Sequence, residues 1–306
     1  MEKKLKIGLI GCGIWGKNIL RDLILLGVEV YVYEVDEKEK ENSLKLGANK
    51  YITKMEELSY LDGIIISTPA TTHANILNSL EDFDRPIFVE KPLCTSESDL
   101  ESIKKLADKD IFLMHIWRYH AGIIELGKIN KSKELGELVR LKTSRTNWTS
   151  PRVDTDSVWT LAPHDITIAL EILGYIPKPN YATCEVYNGE PKGMVAVLGK
   201  SSEFIFEVSN RYFDKKREVR GHFEKGVAVL KDEKVNFLEI YHGDENSKLE
   251  KVKVEKRYFN NDFPLKKELS AFIDYINCGE PPKSNLQEGI DVIETVLKLR
   301  ELTGLH

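Results

Sequence analysis

A lysine with restricted freedom lies in the run Phe88-Val89-Glu90-Lys91-Pro92-Leu93. The residue before a proline is held extended, so the ammonium group of Lys91 can be aimed at one place instead of moving through solvent. A fixed cation can stabilise the alkoxide that develops while an alcohol is oxidised. The alternative interpretation is an ordinary surface lysine.

A histidine follows a proline in the run Trp159-Thr160-Leu161-Ala162-Pro163-His164-Asp165. Imidazole titrates near neutral pH and is well suited to accepting the proton of an alcohol. A histidine that can accept a proton and a lysine that can stabilise the negative charge left behind are the residue types that oxidation of an alcohol would need. The alternative for His164 is an ordinary histidine at the N-terminal end of a helix.

A glycine-rich turn joins the apolar run Lys6–Ile10 to the segment Lys17–Leu26, whose apolar residues have helical spacing. Such a strand, turn and helix let a pyrophosphate approach the backbone, and the helix N-terminus supplies N–H groups. The pattern predicts a dinucleotide site, and a glycine turn that binds nothing is the alternative. The residues predicted to contact the cofactor here are Gly11, Gly13, Ile14, Trp15 and Gly16.

An acidic residue, Glu34, ends the next predicted strand, Val28–Val35, 23 positions after Gly11. Its carboxylate would accept hydrogen bonds from both ribose hydroxyls and repel a 2′-phosphate, which predicts NAD as the cofactor and makes NADP the weaker candidate. A shift of two residues would give this role to Asp36. Either acid could instead cap the helix that begins there.

Small hydroxyl residues end the buried-looking strand Gly63–Ser67. Ligands bind at the carboxyl ends of strands in an open α/β sheet. The loops after this strand and after the strand that ends near Val89 are therefore expected to complete the cofactor site. The residues assigned to it are Ser67, Thr68, Pro69, His73, Glu90 and Lys91.

The elements that must position these residues change in character near Trp117. Before it, strands and helices alternate and predict a six-stranded, doubly wound parallel Rossmann sheet. After it, longer strands of alternating polarity predict an α/β domain with an open, mainly antiparallel sheet. The predicted domains are a cofactor domain at 1–118 and a substrate and oligomerisation domain at 119–306, whose C-terminal helix is a candidate to pack back on the first.

Composition excludes several classes of function. The 44 basic residues are scattered and the net charge is −5, which argues against nucleic acid as a partner. No apolar run approaches the roughly 20 residues of a membrane span, and the N-terminus has no signal-peptide pattern, so a cytoplasmic location is expected. Four widely separated cysteines predict reduced, mostly buried thiols, with neither a disulfide framework nor a metal site.

Together, the glycine turn, the Ser-Thr-Pro loop with His73, the Glu-Lys-Pro run and the segment around His164 resemble the GFO/IDH/MocA family of NAD(P)-dependent oxidoreductases. The family is named from glucose–fructose oxidoreductase and inositol dehydrogenase. The resemblance implies that Lys91 lies beside the nicotinamide and the reacting hydroxyl, often with a cis peptide before Pro92. It also places His164 at the catalytic histidine position and implies a homodimer or homotetramer.

The sequence departs from the family pattern at Thr160, where many members have an aspartate four residues before the histidine. A threonine is not an anionic partner, so either another group such as Asp165 tunes His164, or catalysis depends more on Lys91. A small polar residue here, with the upstream run Arg145-Thr146-Asn147, resembles members that act on nucleotide-activated sugars.

The small-molecule substrate implied is thus a sugar, best a UDP-N-acetylhexosamine or its uronic acid oxidised at the 3-position. A free sugar or inositol is the alternative substrate, and a catalytically silent NAD-binding sensor or scaffold is an alternative of another class. Arginines near the crevice suit a diphosphate or carboxylate, although they could equally hold the interface between the domains. The residues predicted to line the substrate are Arg118, Tyr119, Arg145, Asn147, Trp159, His164 and Asp165.

Overall fold

The computed structural model describes residues 4–148, 154–248, 250, 252–260 and 263–305. The chain forms two compact units, one of Met1–Ile116 with Phe263–Ile293 and one of Trp117–Asp262 with Glu294–His306. The domain boundary placed after residue 118 stays a prediction. The compact units differ from it mainly in that residues 263–293 group with the first unit.

The described residues form fourteen strands and eight α-helices. The strands are β1 (Lys6–Ile10), β2 (Glu29–Tyr33), β3 (Lys50–Ile52), β4 (Gly63–Ile66), β5 (Ile87–Glu90), β6 (Ile111–Met114), β7 (Leu138–Thr146), β8 (Pro179–Tyr187), β9 (Glu190–Leu198), β10 (Phe204–Ser209), β11 (Lys216–Phe223), β12 (Gly226–Leu230), β13 (Phe237–His242) and β14 (Lys253–Tyr258). The helices are α1 (Gly16–Leu25), α2 (Glu37–Lys45), α3 (His73–Ser79), α4 (Glu97–Lys104), α5 (Ala121–Ser132), α6 (Ser157–Leu173), α7 (Pro264–Ile276) and α8 (Leu286–Leu302).

The first unit contains a six-stranded sheet in the order β3-β2-β1-β4-β5-β6, and every pair in it is parallel. The predicted Rossmann sheet is confirmed. The order reverses between β1 and β4, and at such a switch point the loops at the carboxyl ends diverge and leave a crevice for a ligand. The glycine turn follows β1, and the Ser67 loop follows β4, so the fold brings both to this crevice.

Helix α7 covers part of this sheet with its apolar face. Leu269 and Phe272 of α7 are fully buried in the same core as Phe88 of β5. The rings of Phe88 and Phe272 stack with their centroids 5.0 Å apart. This contact fixes the register of α7 against β5, the strand that leads to Lys91.

The second unit contains an eight-stranded sheet in the order β14-β13-β12-β11-β7-β10-β9-β8. All of its pairs are antiparallel except β7 with β10, so the expected mainly antiparallel sheet is confirmed. Helix α6 packs against β7, β9 and β10.

Helix α6 begins earlier than the apolar pattern predicts. The pattern placed its start at Pro163, whereas the helix starts at Ser157, because the Asp156 carboxylate accepts hydrogen bonds from the backbone N–H groups of Val158 (2.9 Å) and Trp159 (3.2 Å). Pro163 therefore lies inside the helix, and His164 is its eighth residue rather than part of its N-terminal end. No helix of the described residues is long and apolar enough to cross a membrane.

Replacement of Asp156 by Ala is expected to lower the free energy of unfolding by about 1–2 kcal/mol, the usual cost of losing an N-cap. The loss also leaves Arg300, whose guanidinium lies 2.7 Å from the Asp156 carboxylate, without that partner. Urea denaturation measures the change. Glu301→Ala, which removes only an exposed ion pair with Lys298, is the control and should cost less than about 0.5 kcal/mol. Equal costs for the two variants would contradict the capping role.

Candidate functional site

Two glycines of the turn after β1 are required by the packing of the chain itself. Gly11 has φ +88°, and a Cβ on it would lie 2.7 Å from the carbonyl oxygen of Ser67. A Cβ on Gly16 would lie 2.4 Å from the carbonyl oxygen of Gly11. Side chains at these two positions would force apart the turn and the strand ends beneath it.

Gly13 is different because a Cβ added there would lie more than 4 Å from every described residue other than its chain neighbours, and its φ is not positive. Neither conformation nor internal packing requires glycine at this position, so the open space suits a group that approaches the backbone. The neighbouring Ile14 and Trp15 are exposed, by 84% and 41%. The N-terminus of α1 has no side-chain cap, which leaves it available to an anion.

The hydroxyl of Ser67 supplies a second observation at the same crevice. Its Oγ is buried and has no hydrogen-bond partner among the residues that the structure describes, and it lies 3.6 Å from the place that a Cβ of Gly16 would occupy. A buried polar atom without a partner is costly unless a ligand or water satisfies it. The open space at Gly13 and the Ser67 hydroxyl thus fit the phosphates of a dinucleotide.

Glu34 is held against the glycine turn by backbone groups. Its Oε2 accepts a hydrogen bond from the N–H of Cys12 (2.7 Å), and its Oε1 accepts from those of Val35 (2.7 Å) and Asp36 (3.2 Å). These bonds use three of the roughly four acceptor sites of a carboxylate, which leaves capacity for a ribose hydroxyl. Asp36 instead caps α2 through the N–H of Lys38 (2.9 Å), so the two acids have separate roles.

His73 is buried between two loops rather than open to a ligand. Its Nδ1 lies 2.8 Å from the carbonyl oxygen of Pro92, and its Nε2 lies 3.0 Å from that of Thr68. The ring therefore ties the loop after β4 to the loop after β5. Its predicted contact with the cofactor stays a prediction, and the geometry favours a supporting role.

Glu90 and Lys91 stand at the carboxyl end of β5. The Glu90 carboxylate is almost fully buried and accepts a hydrogen bond from the indole N–H of Trp15, which links β5 to the glycine turn. Lys91 is half-buried, and the peptide bond between Lys91 and Pro92 is cis, as the family resemblance implies. The turn and the lysine therefore belong to one connected part of the first unit.

The cysteines show no sign of activation. Burial, with a smaller contribution from the charge of Glu34, raises the pKa of Cys12 to about 11, and burial raises the pKa of Cys94 to about 12. Both thiols stay protonated at neutral pH. The expectation of mostly buried cysteines holds for these two but is wrong for Cys278, which is exposed, while Cys184 is half-buried.

In the second unit, Arg145 and Asp165 form a buried ion pair beside His164. The Nε of Arg145 donates to Oδ2 of Asp165 at 2.6 Å, and both side chains are at least 96% buried. The guanidinium also lies 4.3 Å from the ring centroid of Trp117. The Asp165 carboxylate is thus engaged by a residue of β7, and its tuning of His164 stays a prediction.

Other residues assigned to the substrate also have partners within the second unit. Arg118 pairs with Glu171 at 3.1 Å, and Trp159 is buried with the guanidinium of Arg300 5.3 Å from its ring. Thr160 donates its hydroxyl hydrogen back to helix carbonyls, those of Asp156 and Ser157. These contacts explain the positions of the side chains through packing, and their substrate roles stay predictions.

Sequence reasoning missed Arg217, which pairs in register with Arg145 across β7 and β11. Its Nη2 donates to Oδ1 of Asn147 at 2.9 Å, so it fixes the amide of a residue assigned to the substrate. Burial and the charge of Arg145 lower the pKa of Arg217. Arg217 could have been found from its position in β11, because β11 pairs with β7, the strand that carries Arg145. The sequence does not show that these two distant strands pair.

Sequence reasoning also missed Glu268 on α7. This carboxyl is fully buried, and within the described part of the chain neither of its oxygens has a hydrogen-bond partner. Its neighbours on the buried helix face are Leu265, Leu269 and Phe272, so a charged residue interrupts an apolar stripe. This acidic residue in an otherwise apolar helix face is the feature of the sequence that could have indicated a buried acid.

Residues 5–115 match an oxidoreductase family, GFO_IDH_MocA, that has an NAD-binding Rossmann fold. The match spans the glycine turn, Glu34, the loop after β4 and the Glu-Lys-Pro run. For this segment the match confirms the resemblance to the GFO/IDH/MocA family and the NAD-binding Rossmann fold expected from the sequence.

Individual relatives of the GFO/IDH/MocA segment are inositol dehydrogenases. Inositol 2-dehydrogenase from Pseudarthrobacter chlorophenolicus is 32% identical over 162 residues, which are 49% of this chain and 48% of the relative. The chain therefore spans about half the length of this relative. Myo-inositol 2-dehydrogenase from Thermotoga maritima is 24% identical over 93% of this chain and 92% of the relative.

Solved structures share the fold over nearly the whole chain. UDP-N-acetylglucosamine 3-dehydrogenase GnnA from Acidithiobacillus ferrooxidans has a TM-score of 0.83 at 20% identity and covers 98% of both chains. Levoglucosan dehydrogenase in complex with NADH and levoglucosan has a TM-score of 0.84 at 14% identity, over 99% of this chain and 98% of that one. At these identities the likeness establishes the architecture alone.

Replacement of Gly13 by Ala is expected to weaken NADH binding about tenfold, because the methyl group occupies the space left beside the backbone. The melting temperature should not change, since no protein atom lies within 4 Å of that methyl group. Fluorescence titration with NADH measures the affinity. Gly16→Ala is the matched comparison and should lower the melting temperature. Unchanged affinity in Gly13→Ala would show that the space does not receive the cofactor.

Proposed function

We propose that the protein is an NAD-dependent dehydrogenase that oxidises a secondary alcohol of a sugar, with a nucleotide-activated sugar as the substrate. The observation that carries the proposal is the glycine turn, in which the described part of the chain leaves open space at Gly13 and Glu34 is fixed by the N–H of Cys12. Trp15 of the same turn bonds to Glu90, the residue before Lys91. A cofactor site and a candidate catalytic cation therefore share one connected structure.

The preference for NAD follows from the charge of Glu34. A carboxylate held at the turn accepts from ribose hydroxyls and repels a 2′-phosphate. The backbone bonds from Val35 and Asp36 keep that carboxylate in place, so it does not turn away from a phosphate group. NADP is accordingly the weaker cofactor.

In the proposed reaction, bound NAD supplies the hydride acceptor. Lys91 donates a hydrogen bond to the substrate hydroxyl and stabilises the negative charge that grows on its oxygen. His164 accepts the hydroxyl proton and later releases it to solvent. The pair Arg145–Asp165 joins β7 to α6, the helix that carries His164.

Replacement of Lys91 by Ala is expected to lower kcat by about 100-fold or more, the usual cost of removing a donor that stabilises a developing negative charge. Steady-state reduction of NAD measures the rate, and NADH titration checks that cofactor binding survives. Lys54→Ala, at an exposed position of the same unit, serves as the control. If Lys91 and His164 act together, Lys91→Ala combined with His164→Asn should be little worse than the poorer single variant. An unchanged rate in Lys91→Ala would refute the catalytic assignment.

The substrate is tested with a panel of UDP-N-acetylglucosamine, its uronic acid, free N-acetylglucosamine and myo-inositol. The proposal predicts that NAD is reduced fastest with a nucleotide-activated member. Preference for myo-inositol would replace the substrate assignment while leaving the dehydrogenase assignment intact, and the sequence match to inositol dehydrogenases makes this the main competing substrate.

A catalytically silent NAD-binding sensor is the second candidate. Two observations favour it: Thr160 stands where many family members have an acid, and the Asp165 carboxylate is engaged by Arg145. The sensor predicts NADH binding without reduction of NAD by any sugar of the panel. Turnover with any one of them excludes it.

A further inference from the structure

Glu268 is a buried acid that neither the fold nor the proposed reaction uses. It is 0% exposed, and no hydrogen bond reaches either oxygen from the described residues. A buried carboxylate without partners is very unfavourable, whereas a neutral carboxylic acid is much less so. The burial therefore favours a proton on Glu268 at neutral pH.

The packing of α7 on β5 places Glu268 beside Glu90. Glu268 and Phe272 lie one helical turn apart on the same face of α7, and Phe88 and Glu90 lie two positions apart on the same face of β5. Phe88 and Phe272 stack at 5.0 Å. At the opposite end of this contact, the side chain of Ile276 approaches Gly63 at the start of β4, so α7 runs antiparallel to the strands and brings Glu268 toward the carboxyl end of β5.

The two acids have unequal surroundings. Glu90 accepts a hydrogen bond from the indole N–H of Trp15, which stabilises its charged form. Glu268 has no such donor, and burial, followed by the charge of Glu90, raises the pKa of Glu268 well above its ordinary value. Two neighbouring carboxyl groups resist carrying two negative charges, so one of them keeps its proton while the other is ionised.

The other charged groups nearby are paired with each other or exposed, so they do not neutralise a negative charge on Glu268. Helix α1 also packs against α7 and carries Lys17, Arg21 and Asp22. Lys17 pairs with Glu39 at 2.6 Å, and Arg21 pairs with Asp22 at 2.8 Å. On α7 itself, Lys266 is exposed. Glu90 is the one charged group of the described chain that acts on Glu268.

We propose that Glu90 and Glu268 form a carboxyl pair that holds a single proton, on Glu268, and that Glu268 is a positioning residue that sets the charge beside Lys91. The proposal rests on the proposed function in one respect, namely that the positively charged nicotinamide of NAD⁺ binds near Lys91. Loss of the proton to solvent at higher pH changes the charge of the pair from −1 to −2. This change favours the cationic ring of NAD⁺ over the neutral ring of NADH.

The first experiment measures thermal stability against pH without cofactor. An acid whose pKa is raised by folding contributes stability below its ordinary value of 4.5, and this contribution is lost as the pH rises toward the pKa of the folded state. Glu268→Gln, which imitates the protonated acid, should therefore lose less stability than the wild type between about pH 5 and about pH 9. Glu280→Gln, at an exposed carboxyl of the same unit, should follow the wild type. Identical slopes for wild type and Glu268→Gln would overturn the pair.

The second experiment measures the affinities for NAD⁺ and NADH by calorimetry over the same pH range. In the wild type the preference for NAD⁺ should increase about three- to tenfold with pH, and in Glu268→Gln it should stay constant. A pH-independent preference in the wild type would overturn the role beside Lys91.

These measurements separate the pair from the proposed reaction. Binding and stability are read without turnover, so a protein that oxidises no sugar still tests the pair. Failure to bind either cofactor would refute the proposed function, and the stability measurement would still decide whether the two acids share one proton.

Discussion

The close approach of Gly16 to the carbonyl oxygen of Gly11 is the constraint on which the rest of the first unit depends. It allows the chain to leave β1 and enter α1 within six residues. The turn is then fixed from two sides, by the Glu34 carboxylate on the N–H of Cys12 and by the bond from Trp15 to Glu90. Glu34 directly follows β2, and Glu90 is the last residue of β5. Side chains therefore connect the ends of β1, β2 and β5 near the switch point of the sheet.

Much of this arrangement was predictable because its signals are local. The glycine spacing, the acid after β2 and the Glu-Lys-Pro run each lie within a few residues of the strand that positions them. The parallel order followed from alternating strands and helices. The start of α6 was misplaced because Pro163 resembles a helix start, whereas the true cap, Asp156, lies outside the apolar pattern.

The remaining features depend on contacts between distant segments. The sequence around Arg145 shows no partner for its charge. The partner is Asp165, which is 20 positions away on a helix that packs on the same strand. From the sequence, Glu268 is expected to be a surface acid, because no residue near it in the chain indicates contact with Glu90. The stacking of Phe88 on Phe272 defines the register of α7 against β5 that brings the two acids together. Periodicity identifies a helix face, but it does not identify the strand on which that face packs.

The single parallel pair in the second sheet affects how this unit folds during synthesis. Strand β7 pairs with β10 and β11, which follow it in the chain only after α6, β8 and β9. When β7 leaves the ribosome, neither of its neighbours has been made. Both of its edges therefore have unpaired backbone groups until later segments are synthesised. Such non-local pairing slows folding and leaves strand edges open to association with other chains. The central strand of this sheet thus stays unpaired on both edges until β10 has been made, and on one edge until β11 has been made.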